Sequence, residues 1–121
     1  MEPTDNHKAN PQSSRTARQQ ARLRALQQAT SGGQGDTFAW YALAMEYRSL
    51  GRVDEALETL ESLRERDATY VPMYLMAAEL YAAQGNRAKA LQWIEQGSDQ
   101  AQAARQRHAY DKLQALRCTL G

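Results

Sequence analysis

The chain has 121 residues, 15 basic against 14 acidic side chains for a net charge of +1, one cysteine, and a mean hydropathy of −0.75. That length suits one small domain, and the charge balance excludes a general polyanion binder, which needs a basic surplus. A lone Cys118 rules out an internal disulfide, no run nears the roughly 20 apolar residues that span a bilayer, and no signal-peptide pattern opens the chain, so a cytoplasmic location without a membrane partner is expected.

Residues 1–14 are rich in Asn, Pro, Ser and Gln and offer too little apolar area to offset their ordering entropy, which predicts a disordered tail. Residues 15–30 are helix-friendly, with Leu23, Leu26 and Ala29 as a thin apolar stripe, and Ser31-Gly32-Gly33-Gln34-Gly35 ends that helix. Asp36 or Thr37 caps the next, which runs to about Leu50 and turns Trp40, Leu43, Ala44 and Tyr47 inward at i, i+3, i+4 and i+7. Gly51 is expected at its C-terminal turn with positive φ. A second helix starts near Val53, with Asp54 and Glu55 in its favoured acidic first turn and Ala56, Leu57, Leu60 and Leu63 as its stripe. Pro72 opens the third helix, which stops at Gly85. Asn86 caps the fourth, whose apolar side is Ala90, Leu91, Trp93 and Ile94, and which continues past Gly97 to about Ala104, weakened at Gly97 and Ser98. A last helix carries Ala109, Leu113, Leu116 and Leu120 on one side and Lys112, Gln114 and Arg117 on the other, the pattern of a terminal cap.

Displaced by 34 residues, the chain matches itself: Trp40 falls on Tyr74, Ala44 on Ala78, Tyr47 on Tyr81, Gly51 on Gly85, Ala56 on Ala90, Leu57 on Leu91 and Leu60 on Ile94. Shifted the other way, Leu23 lies under Leu57 and Leu26 under Leu60, so residues 15–30 read as the second helix of a degenerate repeat. The register is lost after Arg105, where His108 and Asp111 stand in place of Tyr74 and Ala77. A fixed period with aromatic, small and Gly residues at matching offsets is the mark of stacked helical hairpins.

These residues resemble the tetratricopeptide repeat, with one copy over residues 37–70, a second over 71–104, and a capping helix over 105–121. Trp40, Leu43, Ala44, Tyr47, Gly51, Ala56 and Leu60 fit the first copy; Tyr74, Ala78, Tyr81, Gly85, Ala90 and Ile94 fit the second. The departures are Ala68 at the turn proline, Ala77 for a Leu, and Gly97 where the first copy has Leu63, which call the tightness of the second hairpin into question. The resemblance implies an all-α, right-handed superhelix whose first helices line a concave groove. Carried over by register, the groove residues are Phe38, Tyr41, Met45 and Arg48, then Leu75, Met76, Glu79 and Ala83.

Family members that hold the acidic tails of heat-shock chaperones use a Lys/Asn/Arg clamp; here Arg48 is the only cation on the expected groove face, so that clamp is absent. An apolar, Met-containing groove suits an amphipathic helix or an extended apolar segment. Cover by the chain's own helices or by a second copy is the competing reading, because an open apolar patch is a liability in a monomer. The resemblance therefore implies a non-catalytic adaptor for a protein or peptide, with a homodimeric self-assembly module or a small chaperone-like regulatory subunit as alternatives.

Other signals carry less. Arg15, Arg18, Arg22 and Arg24 form a basic run without interleaved aromatics, which reads as a solvated helix face more than a nucleic-acid site. His108, Asp111 and Cys118 are too dispersed to assemble a metal site, and the glycine-rich linker lacks the Lys-Ser/Thr of a phosphate loop. No cofactor is expected, and no Ser–His–acid set or carboxylate pair stands out.

Overall fold

The computed structural model describes residues 11–121, with side chains from Thr16 onward, so residues 1–10 of the expected tail lie outside the described residues. Among the described residues are six α-helices and no strand: α1 (Pro11–Ala29), α2 (Thr37–Ser49), α3 (Val53–Arg66), α4 (Pro72–Ala83), α5 (Arg87–Ala103) and α6 (Arg107–Leu120). A single 3-10 turn at Ser31–Gly33 joins α1 to α2. Helix α1 is described from Pro11, ahead of the expected start at Arg15.

Caps fall where short polar side chains precede apolar runs. Asp36 accepts from the Ala39 amide at 2.9 Å, and Asn86 accepts from the Lys89 amide at 3.2 Å. Neighbouring helices pair in sequence, α1 with α2, α2 with α3, α4 with α5 and α5 with α6, while α4 also meets α3 and α6. Ala44, Ala56, Ala78 and Ala90 are all fully buried, as close approach of two helix backbones requires.

The repeat extends to individual hydrogen bonds. Trp40 Nε1 donates to the Gln34 carbonyl at 2.8 Å, and Tyr74, its counterpart, donates through its hydroxyl to the Ala68 carbonyl at 2.6 Å. The Tyr81 hydroxyl donates to Glu61 Oε2 on α3 at 2.8 Å; at the matching positions, Gln27 Nε2 on α1 donates to the Tyr47 hydroxyl at 3.0 Å. Thus α1 stands to α2 as α3 stands to α4.

Burial first, and the Glu61 hydrogen bond second, push the Tyr81 phenol up to about 12; burial also raises Tyr41, Tyr70 and Tyr74. A raised phenol pKa in the folded state favours the neutral form, so its contribution is complete below about pH 10 and is lost as pH climbs towards 12. Urea midpoints should therefore hold to pH 9 and fall above pH 10, with Tyr81→Phe showing a shallower fall. An unchanged midpoint at pH 11 would contradict this.

One turn type recurs three times. The amides of Arg52, Asn86 and Gln106 donate to the carbonyls of Tyr47, Tyr81 and Ala101 at 2.9, 2.9 and 2.8 Å. Gly51 and Gly85 supply the required left-handed residue at φ 76° and 79°, but the third turn places Arg105 there at φ 59°. A side chain in that region costs roughly 1 kcal/mol. Arg105→Gly should raise stability by about that amount, read as a melting temperature several degrees higher; a lower one would show that the Arg105 side chain matters more than its backbone.

Gly97 corrects a sequence expectation. A Cβ at this position would lie 2.5 Å from Tyr74 Cβ, 2.9 Å from Tyr74 Cγ and 3.1 Å from Leu113 Cδ1. The glycine thus tightens the second hairpin, because α5 meets α4 and α6 across it. The lost register of α6 is likewise resolved. A shift of 35 rather than 34 sets Ala109, Leu113 and Leu116 against Tyr74, Ala78 and Tyr81, and Leu113 is fully buried. The longer α5 (17 residues against 14 in α3), followed by a connection two residues shorter, adds one residue net and carries α6 into the place a third first-helix would take.

Candidate functional site

The alternate helices α2, α4 and α6 share one side of the molecule, and a cleft of about 390 Å³ runs across them. From α2 it takes Tyr41 and Arg48; from α4 and its approach, Val71, Pro72, Leu75, Met76 and Glu79; from α6 and its approach, Gln106, His108, Ala109, Lys112 and Leu113. A second hollow of about 380 Å³ continues along α2 through Met45 and Ser49, sharing Tyr41, Arg48 and Met76. The floor is apolar, and charge sits on the rim.

The residues singled out from sequence fall in three situations. Tyr41, Arg48, Leu75, Met76 and Glu79 line the cleft together, and Met45 lines its extension. Met76 contributes from below, because it is 3% exposed and belongs to the core. Phe38 lies on the same face of α2 but outside both hollows and is 72% exposed. The Tyr41 ring packs edge-on against Tyr70 with centroids 5.2 Å apart. Burial, then Tyr70, hold its phenol above the usual value while Arg48 partly opposes them, so Tyr41 remains a neutral donor and acceptor at neutral pH.

The third wall was missed. His108, Ala109 and Lys112 enter the cleft because α6 takes the first-helix place, whereas the sequence reading set Lys112 on the outward side of a cap and counted Arg48 as the only cation of the groove. The signal was present as the stripe Ala109, Leu113 and Leu116, which restores the repeat at a spacing of 35.

Other groups singled out are engaged or isolated. Arg22 of the basic run reaches Glu46 at 3.3 Å, and Glu46 is 8% exposed, so this arginine neutralises a buried acid on α2; Arg18 and Arg24 are exposed. Asp111 pairs with Arg107 at 3.6 Å, and Cys118 is exposed. A cavity of about 350 Å³ between α5 and α6 is lined by Arg87 and Arg117, but Arg87 already donates to the Leu120 and Gly121 carbonyls at 2.8 and 2.7 Å. No described helix is long and apolar enough to cross a membrane.

Comparison with known proteins agrees with the fold. A model of the tetratricopeptide repeat matches residues 47–116, from the end of α2 into α6. A tetratricopeptide repeat domain protein from Salinibacter ruber, solved in solution, is 28% identical with a TM-score of 0.67, the match covering 70% of this chain and 86% of that one. A protein from Bordetella parapertussis shares the fold at 24% identity and a TM-score of 0.70, over 81% of this chain and 85% of that one. The type III secretion chaperone SycD of Yersinia enterocolitica, solved with a peptide of the translocator YopD, shares it at 14% identity and a TM-score of 0.68, over 91% of this chain and 88% of that one. Among curated proteins none matches significantly.

Proposed function

The chain belongs to the tetratricopeptide repeat family, and from that premise we propose that it is a non-catalytic adaptor which binds a peptide or protein segment in the groove of α2, α4 and α6. One observation carries the reading: three alternate helices build a continuous hollow with an apolar floor of Tyr41, Leu75, Met76 and Leu113 and a polar rim. An apolar floor supplies affinity through buried area, and a few rim groups fix orientation. The peptide held by the Yersinia chaperone of the same fold supports a peptide as the class of occupant.

Peptides selected from a random display library against the full chain provide the test. Leu75→Arg places a charge on the groove floor and should weaken every selected peptide by at least about tenfold, the scale set by a charge buried without a partner. The control Glu95→Arg, at an exposed position of α5 outside the groove, should leave binding intact. Peptides that bind the Leu75→Arg protein as tightly as the parent would place the binding surface elsewhere.

A further inference from the structure

Among the described residues, the groove's two cations outnumber its one carboxylate, and the following rests on the peptide-binding reading above. Arg48 on α2 and Lys112 on α6 border the cleft from its two outer helices, and Glu79 between them is the one carboxylate among its lining residues. Neither cation holds an ion pair among the described residues. The neighbouring acids Glu46 and Asp111 are already engaged by Arg22 and Arg107 at 3.3 and 3.6 Å. A wholly apolar occupant would draw Arg48 and Lys112 partly out of water without a counter-charge, and a basic one would meet like charge on both sides.

We propose that the groove takes an extended segment of a partner protein in which Asp or Glu side chains flank an apolar residue. The acids meet Arg48 and Lys112, and the apolar residue lies on Tyr41 and Leu75. Helices packed side by side at about 8–10 Å set α2 and α6 roughly 16–20 Å apart. An extended chain rising about 3.3 Å per residue covers that in about five or six residues, which fixes the approximate spacing of the two acids.

The experiment displays random peptides through their C-termini, so that no terminal carboxylate is free, and selects them at low salt on the full chain. Enrichment of Asp or Glu on both sides of an apolar residue is expected, with affinity falling as salt rises. The double variant Arg48→Glu/Lys112→Glu should weaken these peptides by about tenfold or more, and selection on that variant should enrich Lys and Arg instead. Both positions are exposed, and an unchanged far-UV spectrum establishes that the fold is kept. Peptides without acidic enrichment that bind the double variant as well as the parent, yet still fail on Leu75→Arg, would overturn this inference and leave the groove reading standing. Peptides indifferent to Leu75→Arg as well would overturn both.

Discussion

Gly97→Ala is expected to destabilise the protein by about 1–3 kcal/mol, although the same change in an exposed helix stabilises by roughly 1 kcal/mol. The sign reverses because the new methyl would stand 2.5 Å from Tyr74 Cβ, an atom fixed directly to the α4 backbone that no rotamer change can withdraw. Leu113 closes the remaining side at 3.1 Å, so α4, α5 or α6 must shift as a unit. Gly97→Leu, which would make the second repeat match Leu63 of the first, should be worse still. Urea unfolding followed by far-UV circular dichroism measures both. A Gly97→Ala protein as stable as the parent would show that α5 does not approach α4 this closely.

The largest single loss is expected at Trp93. Its side chain is fully buried and packs near the rings of Tyr74 and Tyr81, with centroids at 5.6 and 6.5 Å. Arg64 lies over the indole face at 4.0 Å while donating to Gln96 at 2.8 Å, tying α3 to α5 through the same ring. Trp93→Ala removes this volume from the meeting point of three helices and should cost about 3–5 kcal/mol. That is a large part of the roughly 5–15 kcal/mol typical of a domain. Trp93→Phe should cost clearly less, since it keeps an aromatic ring and removes an indole N–H that is buried without a partner among the described residues. Equal losses for the two variants would mean that the tryptophan's volume is not what holds α5 in place.

Both predictions concern the second hairpin, where reading the sequence was least complete. The helices, their caps and the two glycine turns were legible because each depends on nearby residues: apolar spacing, an Asp or Asn ahead of a helix, a glycine where φ must be positive. The repeat also pointed to the groove face of α2 and α4, since Tyr41 and Leu75 occupy equivalent places. Gly97 was misread as a weakness because propensity describes a helix in isolation, and the partner that requires a missing side chain, Tyr74, lies on another helix. Lys112 was assigned to an outward side because one added residue before α6 breaks the period while leaving the stripe of Ala109, Leu113 and Leu116 intact.

By itself, the sequence determined an all-α stack of helical hairpins, the positions that pack within each pair, and most of the α2 and α4 side chains that line the cleft. Tertiary structure alone decided the third wall, the pairing of Arg22 with buried Glu46, the need for glycine at position 97, and the placing of Arg48 and Lys112 on two sides of one cleft. The physical reason is range: local backbone preferences and side-chain periodicity act within a few turns of one helix, whereas steric contact and Coulomb forces act between helices whose separation in sequence carries no record of their distance in space.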